Sequence, residues 1–329
     1  MLHFSKGKGR CINLFSKTKR SICTQSGVKR KSLFKGIKSD LSLYIIFIPF
    51  LLHILIFNYK PMFGLIIAFK DFNVYKGIFG SEWVGLEHFR TFMTGAYFGR
   101  LLKNTFLLGI YNLIFSFPAP IIFAILLNEV RMKKLKSFIQ TASFLPHFVS
   151  MVVICGIAVN MLSPSGVINS FIKFFGGKSI YFMMKPEWFR TIYIGTGLWA
   201  HIGYSAIIYL AAFSGIDPSL YEACVIDGGN KFRQIWHITL PGILPTVVVQ
   251  LVISIGSMFA VGYEKIILLY QPVTYETADV ISTYMFRSGL SDGKYDFATA
   301  VGLFNSIVSL TFVLCANLVS RKLTETALW

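Results

Sequence analysis

The amino-acid sequence predicts an all-α membrane protein with six transmembrane helices. Hydrophobic residues make up 54% of the 329, aromatic residues 16%, and the mean hydropathy is +0.61, all above what a soluble domain of this size carries. Six apolar runs approach the roughly 20 residues that a helix needs to cross the hydrocarbon core. The basic residues, in turn, cluster on alternate sides of a six-span chain.

In chain order the runs extend from Leu41 to Tyr59, Asn104 to Leu127, Phe138 to Leu162, Arg190 to Phe213, Ile243 to Tyr263 and Ala298 to Ser320. A further apolar stretch, Met62 to Phe69, is too short to span and reads as an external or interfacial segment. Pro118 and Pro120 interrupt the second run.

The formal charge of +17 is explained by where the basic residues sit. Eleven of the 32 precede Asp40; Arg131, Lys133, Lys134 and Lys136 follow the second run, and Arg321 and Lys322 follow the last. The positive-inside rule makes these sites cytoplasmic, with both termini on that side. The segments Lys60 to Arg100 and Glu264 to Phe297 mix both signs and fall outside. The basic charge is therefore a topology signal with contact to anionic membrane lipid, and no nucleic-acid partner is expected. The predicted organisation is a basic cytoplasmic segment 1–39, a six-span domain 40–320 with a cytoplasmic loop 215–242, and a cytoplasmic tail 321–329. The charged start lacks the pattern of a cleavable signal peptide, so the first run is expected to stay as an anchor.

Cys11, Cys23, Cys155, Cys224 and Cys315 are odd in number and contain no CxxC pair, so free thiols are expected, with neither disulfide nor metal. Asp, Glu, Lys and Arg are nearly absent from the centres of the runs, which argues against an ion-coupled secondary transporter. His53, His147 and His201 are the exceptions. No GxxxxGK[ST], HExxH or GxSxG motif occurs, so the chain is not expected to hydrolyse ATP or to be an enzyme, and it binds no cofactor of its own.

The loop DPSLYEACVIDGGNKFRQIWHITLP, Asp217 to Pro241, has its own helical grammar. Asp217 can cap a helix that opens on Pro218, where a missing N–H costs nothing. Gly228 and Gly229 interrupt that helix, and a second helical stretch from Lys231 is expected to close at Pro241.

The pattern Glu222-Ala223-Cys224, Asp227-Gly228-Gly229, Ile238-Thr239-Leu240-Pro241 resembles the cytoplasmic coupling loop of the membrane subunits of binding-protein-dependent ABC importers. Cys224 and Gly229 stand where Ala is commoner in that family; both are small. The stretches WVGLEHF (Trp83 to Phe89), AILLNEV (Ala124 to Val130) and SFLPHFVS (Ser143 to Ser150) recur in the same order in carbohydrate permeases. The external segments from Tyr59 and up to Leu290 look like the branch serving oligosaccharides released from polysaccharides. The resemblance implies the six-helix type I permease architecture. It also implies a second homologous permease subunit, two ATPase subunits carrying ATP and Mg, and an extracytoplasmic solute-binding protein. Carried onto this chain, Glu222 would be a polar anchor to the ATPase, Ala223 and Cys224 would pack closely, Gly228 would form the turn and Asp227 would cap or stabilise it. Leu240 and Pro241 would fix the return into the fifth span.

Sugar hydroxyls need polar groups on a shared helix face, and their C–H faces need aromatic rings. Gln250, Ser254 and Ser257 on the fifth run and His201, Tyr204 and Ser205 on the fourth are the candidate path residues. Tyr270, Tyr275 and Tyr284 with Glu276, Asp279 and Arg287 suit a partly helical docking face, or alternatively a lid on the bundle. An amino-acid or peptide importer is the alternative cargo reading.

Overall fold

The computed structural model describes residues 41–259 and 261–324. The basic segment 1–39, with Cys11 and Cys23, and residues 325–329 lie outside them. The chain divides into two compact units, 1–61 and 62–329.

In the first unit the helix Leu41–Ile54 carries Pro49 and passes into a π-turn, Leu55–Tyr59. Among the described residues, six helical runs are long and apolar enough to cross a membrane: Leu43–Phe69, Phe98–Glu129, Met151–Phe174, Pro186–Phe213, Lys231–Gly256 and Tyr295–Cys315, hereafter spans 1 to 6. The number of spans agrees with the sequence reading; several borders do not. Met62 to Phe69 is no separate external segment, because Phe63–Phe69 continues the first run as tighter 3-10 turns and packs on span 6. Span 3 begins only at Met151. The expected run from Phe138 is cut by a 3-10 turn, Leu145–Phe148, holding Pro146, which leaves Lys133–Phe144 as a separate helix.

Span 5 shows the largest shift. The second helical stretch of the loop does not close at Pro241: it passes through a π-turn, Ile235–Thr239, directly into the helix Leu240–Gly256. Proline has no N–H to give the preceding turn, and the wider i→i+5 register absorbs that loss. Span 2 uses the same device, a π-turn Asn112–Ser116 ahead of Pro118 and Pro120.

Among the described residues, the one departure from all-α is a two-residue antiparallel ladder, with Lys70 opposite Trp83 and Asp71 opposite Glu82. It belongs to the motif at Trp83 to Phe89. Gly85, at φ +64°, donates from its N–H to Phe69 O at 3.0 Å. His88 Nε2 donates to Lys70 O at 3.0 Å, and the Phe72 N–H donates to Asp296 Oδ2 at 3.0 Å at the head of span 6.

Three apolar clusters hold the second unit together. Leu108, Cys155, Phe189 and Ile192 from spans 2, 3 and 4 surround Ile266 and Leu269. Ile121, Ala124, Ala206, Tyr209, Phe213 and Ile243 join spans 2, 4 and 5. Phe92, Leu101, Ile281 and Val301 form the third. Where helices cross most closely, glycine makes room: a Cβ on Gly203 of span 4 would overlap the main chain of Ser143.

The segment Glu264 to Phe297 is largely helical, but it is not simply external. The helix Tyr263–Leu269 folds back against span 3 and the core, with Ile266 and Leu269 buried.

Candidate functional site

Two regions concentrate the sequence-predicted residues. The first is the loop between spans 4 and 5. Asp217 caps the helix Pro218–Ile226, its Oδ1 accepting from the Ser219 N–H at 2.9 Å. The hydrogen bonds from Ser219 hold the Asp217 carboxyl below the usual carboxylate range. After Ile226 the chain turns on Gly228, at φ +75°, a conformation that L side chains adopt rarely. The Gly229 N–H donates to Cys224 O at 2.7 Å, and a Cβ on Gly229 would overlap Cys224 Sγ. The two departures from the family pattern are therefore neighbours in space: the larger thiol at 224 is matched by the absent side chain at 229. Backbone bonds hold the turn, through the Asp227 N–H to Ala223 O at 3.0 Å and the Gly228 N–H to Val225 O at 3.0 Å. Asp227 is the C-cap residue of the helix and holds the turn through its backbone N–H, while its carboxylate is exposed and makes no hydrogen bond among the described residues.

Asn230 caps the next turn, accepting from the Arg233 N–H at 2.9 Å. Tyr221 and Thr239 join the two helical pieces through their hydroxyls at 3.1 Å. Lys231 Nζ lies 3.2 Å from Glu129 Oε2, so the AILLNEV end of span 2 is tied to the loop. Leu220, Val225, Phe232 and Trp236 are exposed, with Ile226 at 85% and Phe232 at 83%. Glu222 and Ala223 are exposed beside them. A rigid, capped helix that presents apolar side chains to water at a membrane face is a surface built to be covered.

The second region is a cavity of about 480 Å³ among spans 2, 3 and 4 and the fold-back helix. Of the six path candidates, His201 and Ser205 line it, together with Asn112, Ser116 and two charged residues, Glu264 and Lys265. Tyr204 does not line it; its ring stacks on His147 at 3.8 Å, and His147 Nδ1 is 3.1 Å from His201 Nδ1. Gln250, Ser254 and Ser257 are not brought to this cavity; Ser257 spends its hydroxyl on Ser254 O at 3.1 Å, as polar residues in membrane helices often bond locally. Trp199 borders a separate, apolar cavity with Ile157 and Met161, and Tyr263 stacks on Phe286 at 4.9 Å.

Glu264 and Lys265 escaped the sequence reading because they follow the fifth apolar run and read as the start of an exposed loop. The signal present was the apolar pattern Ile266-Ile267-Leu268-Leu269 directly after the two charges, which marks a helix with a buried side.

Of the expected docking residues, Asp279 is buried, Tyr270, Tyr275, Tyr284 and Arg287 are half-buried, and Glu276 is exposed. Asp279 is fully buried, 2.8 Å from Arg287 and 3.5 Å from Arg100, and accepts from Thr283 Oγ1 at 2.8 Å. Asn104 Nδ2 donates to Asp279 O at 3.0 Å and to Glu276 O at 2.9 Å, while its Oδ1 accepts from Arg190 at 3.0 Å. This network fastens the segment to spans 2 and 4. Arg287 also lies over the rings of Tyr275 and Tyr284. Cys155, Cys224 and Cys315 are free thiols.

The six spans, the fold-back helix and the capped loop define the inner-membrane subunit of a transporter. Residues 91–325 match the model of the binding-protein-dependent transport system inner membrane component, and the chain belongs to that family. It is a multi-pass inner-membrane protein with the type I ABC permease fold. It is 43% identical over 302 residues to the polygalacturonan/rhamnogalacturonan transport system permease protein YteP of Bacillus subtilis (strain 168), covering 92% of this chain and 94% of that one. The protein LplB of the same organism is 40% identical, over 94% and 98% of the two chains. A chain in the crystal structure of a bacterial ABC transporter involved in the import of the acidic polysaccharide alginate is 47% identical. It superposes with a TM-score of 0.83 over 89% of this chain and all of that one. A second structure, an alginate transporter in complex with an alginate pentasaccharide-bound periplasmic protein, gives 46% identity and the same TM-score over 91% of this chain.

Proposed function

We propose that this chain forms half of the translocation pathway of an ATP-driven importer of polysaccharide-derived oligosaccharides. The observation that carries the reading is the capped, apolar, solvent-exposed helix Pro218–Ile226 between spans 4 and 5 in a chain of this family. That helix docks on a separate ATPase subunit, which holds the ATP and Mg; the permease itself is not catalytic and carries no cofactor. Glu222 and Ala223 meet the ATPase, and the Gly228 turn and the Cys224–Gly229 contact keep the helix rigid. Leu240 and Pro241 lead the loop into span 5. The other half of the pathway is a second, homologous permease, and a solute-binding protein delivers the sugar from the extracytoplasmic side. Both termini are cytoplasmic, as the basic residues require. The cargo class rests on the relatives, whose names cite polygalacturonan, rhamnogalacturonan and alginate. His201 and Ser205 would meet the sugar in the cavity.

Nucleotide-driven closure of the ATPase pair moves the spans between inward-open and outward-open states. Reconstitution with the neighbouring permease, ATPase and binding protein tests this through ATP hydrolysis against a panel of oligosaccharides. Gly228→Asp puts a side chain at φ +75°. It should abolish sugar-stimulated hydrolysis while the purified permease pair stays folded. Full stimulation in the variant would remove the coupling assignment, and stimulation by amino acids or peptides instead of sugars would replace the cargo.

A further inference from the structure

Lys265 occupies an unusual position for an ammonium group. It is half-buried on the fold-back helix, lines the cavity among spans 2, 3 and 4, and donates to the main-chain carbonyl of Tyr193 in span 4. Its Nζ also lies 4.1 Å from the Tyr193 ring centroid. Span 4 makes room for it: a Cβ on Gly197 would stand 2.7 Å from Nζ. Among the described residues no carboxylate comes within ion-pair distance of this cation, whereas Arg287, Arg100, Lys231 and His88 each have one. An ion desolvated between membrane helices is costly, and such groups normally mark a pathway and meet an opposite charge there. The adjacent Glu264 does not supply it. Glu264 opens onto the same cavity but is exposed and makes no ion pair with the Lys265 ammonium among the described residues.

We propose that Lys265 is a specificity-determining residue that pairs with a carboxylate on the passing sugar. This rests on the oligosaccharide reading above; the names of the relatives already point to uronate polymers, and what the cavity adds is the residue that selects their charge. A carbonyl and an aromatic face use part of the ammonium's hydrogen-bonding and electrostatic capacity, and at least one N–H remains for a ligand in the cavity. The hydroxyl of Ser205 and the imidazole of His201 line the same space and suit ring hydroxyls.

The test uses the complete reconstituted transporter with tri-galacturonate and its fully methyl-esterified counterpart, each at saturating binding protein. Uptake is measured over a range of sugar concentrations for wild type, Lys265→Gln and Lys265→Arg. In wild type the acid should half-saturate at a concentration at least tenfold below the ester. Lys265→Gln should raise the acid's half-saturation about tenfold and the ester's by far less, so that the preference for the acid is lost; Lys265→Arg should restore it. Equal losses for acid and ester in Lys265→Gln would make Lys265 merely structural, and an unaltered acid preference would remove it from the path. Either result overturns the assignment while sugar transport stands. If neither sugar is taken up by wild type but another, neutral oligosaccharide is, the cargo charge is wrong; if no oligosaccharide is taken up, the cargo reading falls and the assignment of Lys265 falls with it.

Discussion

At Gly203, span 4 and the helix Lys133–Phe144 come within backbone contact, so a methyl group there must push Ser143 away. Gly195, two turns earlier on the same helix, has nothing within 4 Å of its would-be Cβ. Gly203→Ala should therefore cost about 1–3 kcal/mol by overpacking, whereas Gly195→Ala should be neutral or gain up to ~1 kcal/mol in helix propensity. Thermal unfolding in one detergent checks the pair, and equal midpoints would deny the close approach. Residues of this kind were poorly legible in the sequence. Gly228 announced its turn through the Asp-Gly-Gly string, but nothing local told Gly203 from Gly195, because the difference is made by a chain some 60 residues away. Lys265 was missed for a similar reason: its environment is created by Tyr193 and Gly197, on an element distant in sequence.

Among the elements, the segment Glu264 to Phe297 owes its position to Asp279. The buried carboxylate is shared by Arg287 and Arg100, and its main-chain carbonyl is held by Asn104. Asp279→Asn leaves two guanidinium groups facing a neutral amide, a change that costs about 3–5 kcal/mol when a buried ion pair is broken. The variant should unfold at lower temperature and expose Ile281 and Thr283 amides to hydrogen exchange before those of span 4; unchanged exchange would mean that apolar packing alone holds the segment. The spans themselves were legible because twenty apolar residues admit few other readings. Their joints were not. Hydropathy does not register the break at Pro146, nor the π-turns ahead of Pro118 and Pro241, since an altered hydrogen-bond register leaves apolar composition untouched. The motifs that carried the resemblance fall at such joints: WVGLEHF, through His88, ties Lys70 to Asp296 at the head of span 6, AILLNEV ends at the Glu129–Lys231 bridge, and SFLPHFVS contains the turn into span 3.

Over the whole molecule, the loop proposed to meet the ATPase and the cavity proposed to meet the sugar are linked through spans 4 and 5, which flank the loop, and through the bridge from Lys231 to span 2. Span 5 differs from span 4 in this respect. Span 4 is an uninterrupted helix from Pro186 to Phe213, while span 5 begins inside the loop and passes a π-turn before Pro241. A helix with that defect is mechanically two stiff rods and a compliant joint. If the loop is driven as proposed, thrust entering at Lys231 would be delivered partly as bending at Ile235–Thr239, with one end of the rod swinging while the other keeps its packing. Pro241→Ala stiffens the joint by restoring an N–H to the ladder. We expect the variant to retain sugar-stimulated ATP hydrolysis but to import fewer sugar molecules per ATP, measured in the same vesicles; an unchanged ratio would mean that span 5 moves as one rigid lever.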